Sequence, residues 1–189
     1  ITAGTFTTAD AGGNSKALTV TGEVNVVGTL TCNASAVSFG SLDSTGLVNL
    51  PTASGSTLIT NENSNGFSIV AGTYGSCVPA KIKHNDGTVT FNNHSDPAAH
   101  AAIVVGVSTA TDGLYNVIID GANTIVSTYF PSGGSQHCTI YNNFTVTEGN
   151  FRVNGATNPF TVIGDVALNG GNMFNTGTVP TGAHSYKSL

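Results

Sequence analysis

The sequence predicts an all-β fold, a β-solenoid-like stack of short strands, and two observations lead there. The first is a phrase said twice. LTVTGEVNVVGT opens at Leu18 and FTVIGDVALNGG at Phe160, and they align without a gap, setting Gly22 on Gly164, Glu23 on Asp165 and Gly28 on Gly170. A looser copy, FTVTEGNFRVNG, opens at Phe144, sixteen residues before the last. The second is composition. Only 8% of the 189 residues are charged, about a third of the ~25% usual in soluble domains. Gly, Thr, Ser and Asn fill the gap beside abundant Val and Ile, a mixture that folds as β and does not stay disordered.

Along the chain, residues 1–8 read as one extended strand and ADAGGNSKA as a flexible connector centred on Gly12, Gly13 and Asn14. Residues 1–17 are therefore set apart as an N-terminal strand and linker, residues 18–175 as the all-β body and residues 176–189 as a tail. Alternation of apolar and polar residues places strands at 18–21, 23–27, 29–32, 36–39, 47–50, 57–61, 66–71, 81–84, 88–92, 102–107, 114–120, 124–130, 138–141, 143–147, 150–153, 160–163 and 165–169. Turn pairs separate them, among them Asp86-Gly87, Asp112-Gly113, Asp120-Gly121 and Asn169-Gly170. No long stretch has a 3.6 period, and only HSDPAAHAAI, around Pro97–Ala102, suits one helical turn. A solenoid with coils of roughly 16–25 residues suits the echoes and the sixteen-residue step. The Asn-Gly and Asp-Gly pairs suit hairpins, hence an antiparallel β-sandwich or jelly roll as the alternative. Residues 40–140 show no period.

Charge excludes some functions. Five Lys+Arg against ten Asp+Glu give −5, and of the basic residues only Lys81 and Lys83 are close, too few to neutralise a nucleic-acid backbone. No apolar run approaches the length of a membrane span. The chain opens on Ile1, which fits a processed product or a part of a longer chain, any secretion signal already removed.

Candidate chemistry is sparse. Cys32, Cys77 and Cys138 match no zinc or redox spacing. Two readings stay open: a Cys77–Cys138 disulfide with one free thiol, or three buried thiols. His137 and Cys138 are neighbours, but on a strand they point to opposite faces. His84, His94 and His100, with Asp86 and Asp96, lack the tight pairs of zinc sites, and no calcium loop motif is present. Asp112 and Asp120 could be weighed as a hydrolytic carboxylate pair, yet both belong to Asp-Gly turns. With Arg152 the only arginine, no lyase base stands out. No catalytic, metal-ligating or cofactor-binding residue is assigned, and no cofactor is expected. Thr19-Val-Thr21, Thr29-Leu-Thr31, Thr88-Val-Thr90 and Thr145-Val-Thr147 each put two hydroxyls on one strand face, as an ice-binding surface would, but at irregular intervals. Asn33, Asn93 and Asn143 head glycosylation triplets.

The wording LTVTGEVNVVGTLT, DGTVTFNN, LYNVIIDG and NNFTVTEGNFRVNGATNPFTVIGDVALNGG resembles that of large repetitive secreted surface proteins of aquatic bacteria. It is similar also to virion-associated fibre and decoration proteins of marine and freshwater phages. The resemblance covers residues 81–175 best and 18–40 next. It implies an adhesive or structural module and carries over no site residue. The function expected is a non-enzymatic extracellular structural protein, a subunit of a filament, fibre or surface layer whose partner is itself, with glycans as a further partner. Ile1, Ala3, Thr5 and Phe6 are the expected assembly strand, lent to a neighbouring subunit. The alternatives are a phage fibre or capsid-decoration protein that binds a cell surface, and a carbohydrate- or ice-binding module.

Overall fold

Period-two alternation with Gly- and Asn-rich corners leaves each strand one apolar face to bury, and parallel coiling buries it against the strands across the axis. The computed structural model describes residues 1–60, 67–69, 81–92, 101–104, 110–122, 124–128, 138–153 and 160–175. Its strands are β1 Thr5–Thr7, β2 Leu18–Val26, β3 Thr29–Thr31, β4 Ala36–Ser44, β5 Leu47–Asn49, β6 Ser56–Ile59, β7 Phe67–Ile69, β8 Ile82–Lys83 and β9 Thr88–Phe91. They continue with β10 Ala101–Val104, β11 Asn116–Ile119, β12 Ile125–Thr128, β13 Cys138–Ile140, β14 Phe144–Val146, β15 Asn150–Val153, β16 Phe160–Val162, β17 Val166–Leu168 and β18 Asn172–Asn175.

Every ladder pairing among the described strands is parallel, and the chain visits three ladders in the same order throughout. The first ladder runs β1-β3-β5-β8 and resumes as β13-β16. The second runs from the first half of β2 through the first half of β4, then β6-β9-β11-β14-β17. The third runs from the second halves of β2 and β4 through β7-β10-β12-β15-β18. β2 and β4 each bend round a corner without breaking, and a register shift between Val20 and Glu23 marks the bend. The result is a three-ladder solenoid of seven rungs, from β1-β2 to β16-β17-β18. On the first ladder the fifth rung keeps only bridges: Lys83 to Asp112 and Leu114 to Ile140.

The solenoid forms, and the sandwich alternative does not. Among the described residues, Asp86-Gly87, Asp120-Gly121 and Asn169-Gly170 turn corners within a rung instead of closing hairpins. At the corner between β8 and β9, Asn85 and Asp86 take left-handed φ of 49° and 58°, a conformation that Asn and Asp tolerate better than most residues. The lost period has a plain cause. Partners lie 18 residues apart at Thr29↔Leu47 but 36 apart at Phe67↔Ile103, and 22 apart between the last two rungs. The residues between strands absorb the difference, and the second and third ladders run on through all seven rungs. The sixteen-residue step was not a rung: Phe144 stacks on Val166, and Phe160 on Cys138.

The strand readings hold closely, with four corrections. Residues 1–8 contribute a strand only at Thr5–Thr7, β4 runs on to Ser44, and β18 was not expected. Ala101 and Ala102 begin a strand, not a helical turn. The connector after residue 8 is also more structured than its composition suggests. The Asp10 carboxylate accepts from the Gly12 and Asn14 backbone N–H groups at 2.9 Å each, and Lys16 pairs with it at 3.1 Å. These bonds, the Asn14 backbone first, hold the Asp10 carboxyl below its ordinary value. The tail at 176–189 lies outside the described residues.

Inward side chains stack into continuous columns. On the second ladder one column is Val20, Phe39, Ile59, Phe91, Ile119, Val146 and Leu168; another is Leu18, Val37, Thr57, Val89, Val117, Phe144 and Val166. Between the end rungs these residues are buried, each apolar one stabilising the fold by about 1.5–3 kcal/mol. Amides do the same work outside. Asn142 Nδ2 donates to Asn116 Oδ1 at 3.0 Å, Asn172 Nδ2 to Asn150 Oδ1 at 3.3 Å, and Asn49 Nδ2 to Thr31 Oγ1 at 3.0 Å.

Two corners between the third and first ladders, at Gly28 and Gly46, need glycine. A Cβ on Gly46 would run into the backbone oxygens of Gly28 and Val27, while one on Gly22 would meet open space. Gly46→Ala is therefore expected to lower stability by about 1–3 kcal/mol, and Gly22→Ala to change it by less than about 0.5 kcal/mol. Thermal or denaturant unfolding of both variants checks this; equal effects would mean that the corner does not constrain the stack.

Candidate assembly surface

A solenoid core has two ends, and apolar columns must stop somewhere. The side chains packed only partly against the core are Ile1, Leu18, Val20, Val24, Phe160, Val162, Leu168 and Met173. All of them belong to the two end rungs or the segment leading into the first. The exposed large apolar residues fall there too: Phe6 (44% exposed) and Val27 (54%) beside the first rung, Ile163 (59%) and Val166 (44%) in the last. Among the described residues, the five rungs between expose none.

Each end also presents backbone. β1 pairs only with β3, and β2 only with β4; β16, β17 and β18 each pair only with the strand of the rung before. Among the described residues the outer edges carry no partner strand. The aromatic packing has the same lopsidedness. Phe144, Phe151 and Phe160 form a cluster with ring centroids 4.7–5.3 Å apart, and its outermost ring, Phe160, is half-buried at the end of the stack.

The expected assembly residues lie at the first of these ends. Thr5 and Phe6 pair in parallel with Thr29 and Leu30 of their own chain. Thr8 is buried and bonds the Cys32 carbonyl and the Ser35 hydroxyl at 2.6 Å each, and the Ile1 amine donates to Asn25 O at 2.7 Å. Ala3 is exposed. The segment is thus docked in cis on one edge and open on the other, a part of the body and not a separate arm. Sequence reasoning missed Val27, Ile163 and Val166. The signal was present, since they lie in or beside the first and last copies of the repeated phrase, but exposure is set by position in the stack.

The other singled-out residues do not converge. His84 is 1% exposed; its Nδ1 accepts from the Asp86 N–H at 3.0 Å, and its ring stacks on Tyr115 at 4.9 Å. Tyr141 lies 6.1 Å from Tyr115 and 6.2 Å from the imidazole, so the three rings form a cluster. His94, His100 and Asp96 lie outside the described residues. Among those described, no group of three His, Cys, Asp or Glu is placed to hold a metal. Asp112 bonds Lys83 Nζ. Asp120 stands beyond the far end of β11, about 13 Å of strand from the corner at Asp112, so the two carboxylates turn different corners. Arg152 lies on β15 opposite Ser127 and Phe174.

The Thr triplets scatter over the stack. Thr19, Thr90 and Thr145 share an outward column on the second ladder but are separated by Ser38, Leu58 and Ile118. A two-rung match does form on the first ladder, where Thr5 and Thr7 meet Thr29 and Thr31; Leu47 and Asn49 end it.

Of the glycosylation triplets, Asn33 has φ 53° and its Nδ2 donates to Thr7 Oγ1 at 2.9 Å. Asn143 is exposed, with Oδ1 accepting from the Asp165 N–H at 3.0 Å. Asn93 lies outside the described residues, as does Cys77, so the Cys77–Cys138 pairing is not described; Cys138 itself is fully buried at the start of β13. Cys32 is fully buried in the column of Thr8 and Leu50, and burial pushes its thiol up to about 12.

Comparison with protein-family models, with curated proteins and with solved structures finds no match for the chain.

Cys32 gives a test of how closed the stack is. Its raised thiol favours the folded state fully below the ordinary value of 9.0 and progressively less as pH rises from there towards about 12. Unfolding measured from pH 8 to 11 should show this alkaline loss of stability, and Cys32→Ala should remove that share of it. In the native protein at pH 8, Cys32 should resist alkylation until the chain is denatured. Rapid native labelling mapped to Cys32 would show an open core.

Proposed function

We propose that the chain is a non-enzymatic extracellular structural protein that polymerises end to end into a fibre, the last rung of one copy seating on the first rung of the next. The single observation that carries this reading is that, among the described residues, the exposed large apolar side chains and the core-packed side chains left half-buried fall in or beside the two end rungs. Water contact is worst there, and each end offers parallel strand edges that pair with another chain unless something blocks them. The blocking devices that other β proteins use are sparse: Lys and Arg number five in the whole chain. The two ends differ, so the contact is head-to-tail and does not close on itself, which gives a filament without any further component. Low net charge per residue weakens the repulsion that would keep copies apart. The exposed Asn143 fits a secreted, glycan-bearing surface.

This form of assembly uses the free edge of the docked first strand and does not require the strand to leave its own chain. It also has a dimension. Seven rungs at roughly 4.8 Å give an axial repeat of about 34 Å per copy.

Negative-stain imaging and sedimentation of the purified chain over a range of concentrations test the proposal. Filaments with a repeat near 34 Å are expected. Phe6→Glu and Val166→Lys should each leave a folded monomer by circular dichroism while raising the concentration needed for filaments at least ~100-fold, because a charge buried unpaired at the joint costs about 3 kcal/mol or more. A chain that stays monomeric at every concentration, or end variants that polymerise as readily as the parent, would overturn it.

A further inference from the structure

The two copies of the phrase do not stand on the same ladders. Leu18–Val20 is on the second ladder and Val24–Val26 on the third, whereas Phe160–Val162 is on the first and Val166–Leu168 on the second. The looser copy at Phe144 does share ladders with Leu18, since Phe144 lies in the Leu18 column. Two ways of seating one copy on the next therefore exist, and they differ by one face. In the first, like phrases stack: Phe160 on Leu18, Val162 on Val20, Val166 on Val24. In the second, each ladder simply continues: β16 on β1, Val166 on Leu18, Leu168 on Val20.

Resting on the end-to-end reading above, we infer that the joint continues the ladders face on face. Stacking like phrases sets Asp165 directly against Glu23, acid on acid at one strand spacing, which destabilises a sheet. Continuing the ladders sets Asp165 over Ala17, because its outward column runs Asn143, Asn116, Thr88, Ser56, Ala36 and Ala17. Its neighbour across the joint is then Lys16, the opposite charge. Face-on-face seating also lays β1, whose exposed Phe6 shares the column of the buried Leu30, against β16, whose Phe160 is the outermost ring of the phenylalanine cluster. Aromatic rings then stand on both strands of the joint, where offset or edge-on contacts favour this register beyond simple burial. Leu18 and Val20 complete two inward columns that are otherwise apolar except at Thr57.

Paired cysteines read the register. Thr19 and Ala167 are the outward residues of the second ladder in the first and last rungs. In the face-on-face joint they become direct neighbours within the Cα separation a disulfide spans. In the phrase-on-phrase joint the neighbour of Thr19 is Thr161 instead. Filaments of a Thr19→Cys, Ala167→Cys variant and of a Thr19→Cys, Thr161→Cys variant are oxidised and run under denaturing, non-reducing conditions beside the single-cysteine controls. The expected result is a ladder of covalent oligomers for the first variant alone. A ladder from the second variant, or filaments with no ladder from either, would overturn the register while leaving end-to-end assembly standing. Absence of filaments from the unaltered chain would instead sink the assembly reading on which the register rests.

Discussion

In-register parallel stacking is the constraint on which the rest of this molecule depends. Once the chain coils so that each strand lies against the strand of the previous rung, every side chain sits about 4.8 Å above its counterpart. Inside, that makes columns in which Phe39, Ile59, Phe91 and Ile119 bury one another in sequence. Outside, it forbids charge. A charged column would repel itself at every rung, whereas an amide both donates and accepts, so Asn116, Asn142 and Asn143 bond up the stack. The 8% charged composition is thus a consequence of the geometry.

The same constraint makes the ends special. A column of apolar side chains satisfies itself everywhere except at its first and last members, and a parallel strand has one unpaired edge when it is the outermost. Phe6 and Val166 are exposed for that positional reason and not because their local sequences are unusual. Phe6 alternates with Thr5 and Thr7 just as the buried Leu30 alternates with Thr29 and Thr31 one rung on. Position in the stack alone separates the buried residue from the sticky one. The proposed end-to-end polymer would repeat at each joint the contact each rung already makes inside the chain, and no second kind of interface would need to evolve.

Much of this was legible in the chain. Alternation located nearly all the strands, and the repeated phrase pointed to stacking, because Gly22-Glu23 and Gly164-Asp165 encode a strand, a corner and a second strand. The phrase misled on register. A strand-corner-strand unit suits any corner, so its copies came to rest one ladder apart. The turn pairs misled too, since Asn85 and Asp86 beside Gly87 supply the left-handed residues of a rung corner, where a hairpin was the alternative. The proposed assembly surface was half legible. Phe6 stood in the expected assembly strand; Ile163 and Val166 were not singled out, since no local pattern says which rung is last.

The sequence by itself determined the all-β character and most of the strands, because these follow from side-chain alternation and residue type, which are local. Only the tertiary structure decided which strands are partners, since loops that set partners anywhere from 18 to 36 residues apart erase the period that would have revealed them. It alone decided where the columns end, and hence which apolar residues face water. Pairing and termination are properties of the whole stack, and no window of sequence contains them.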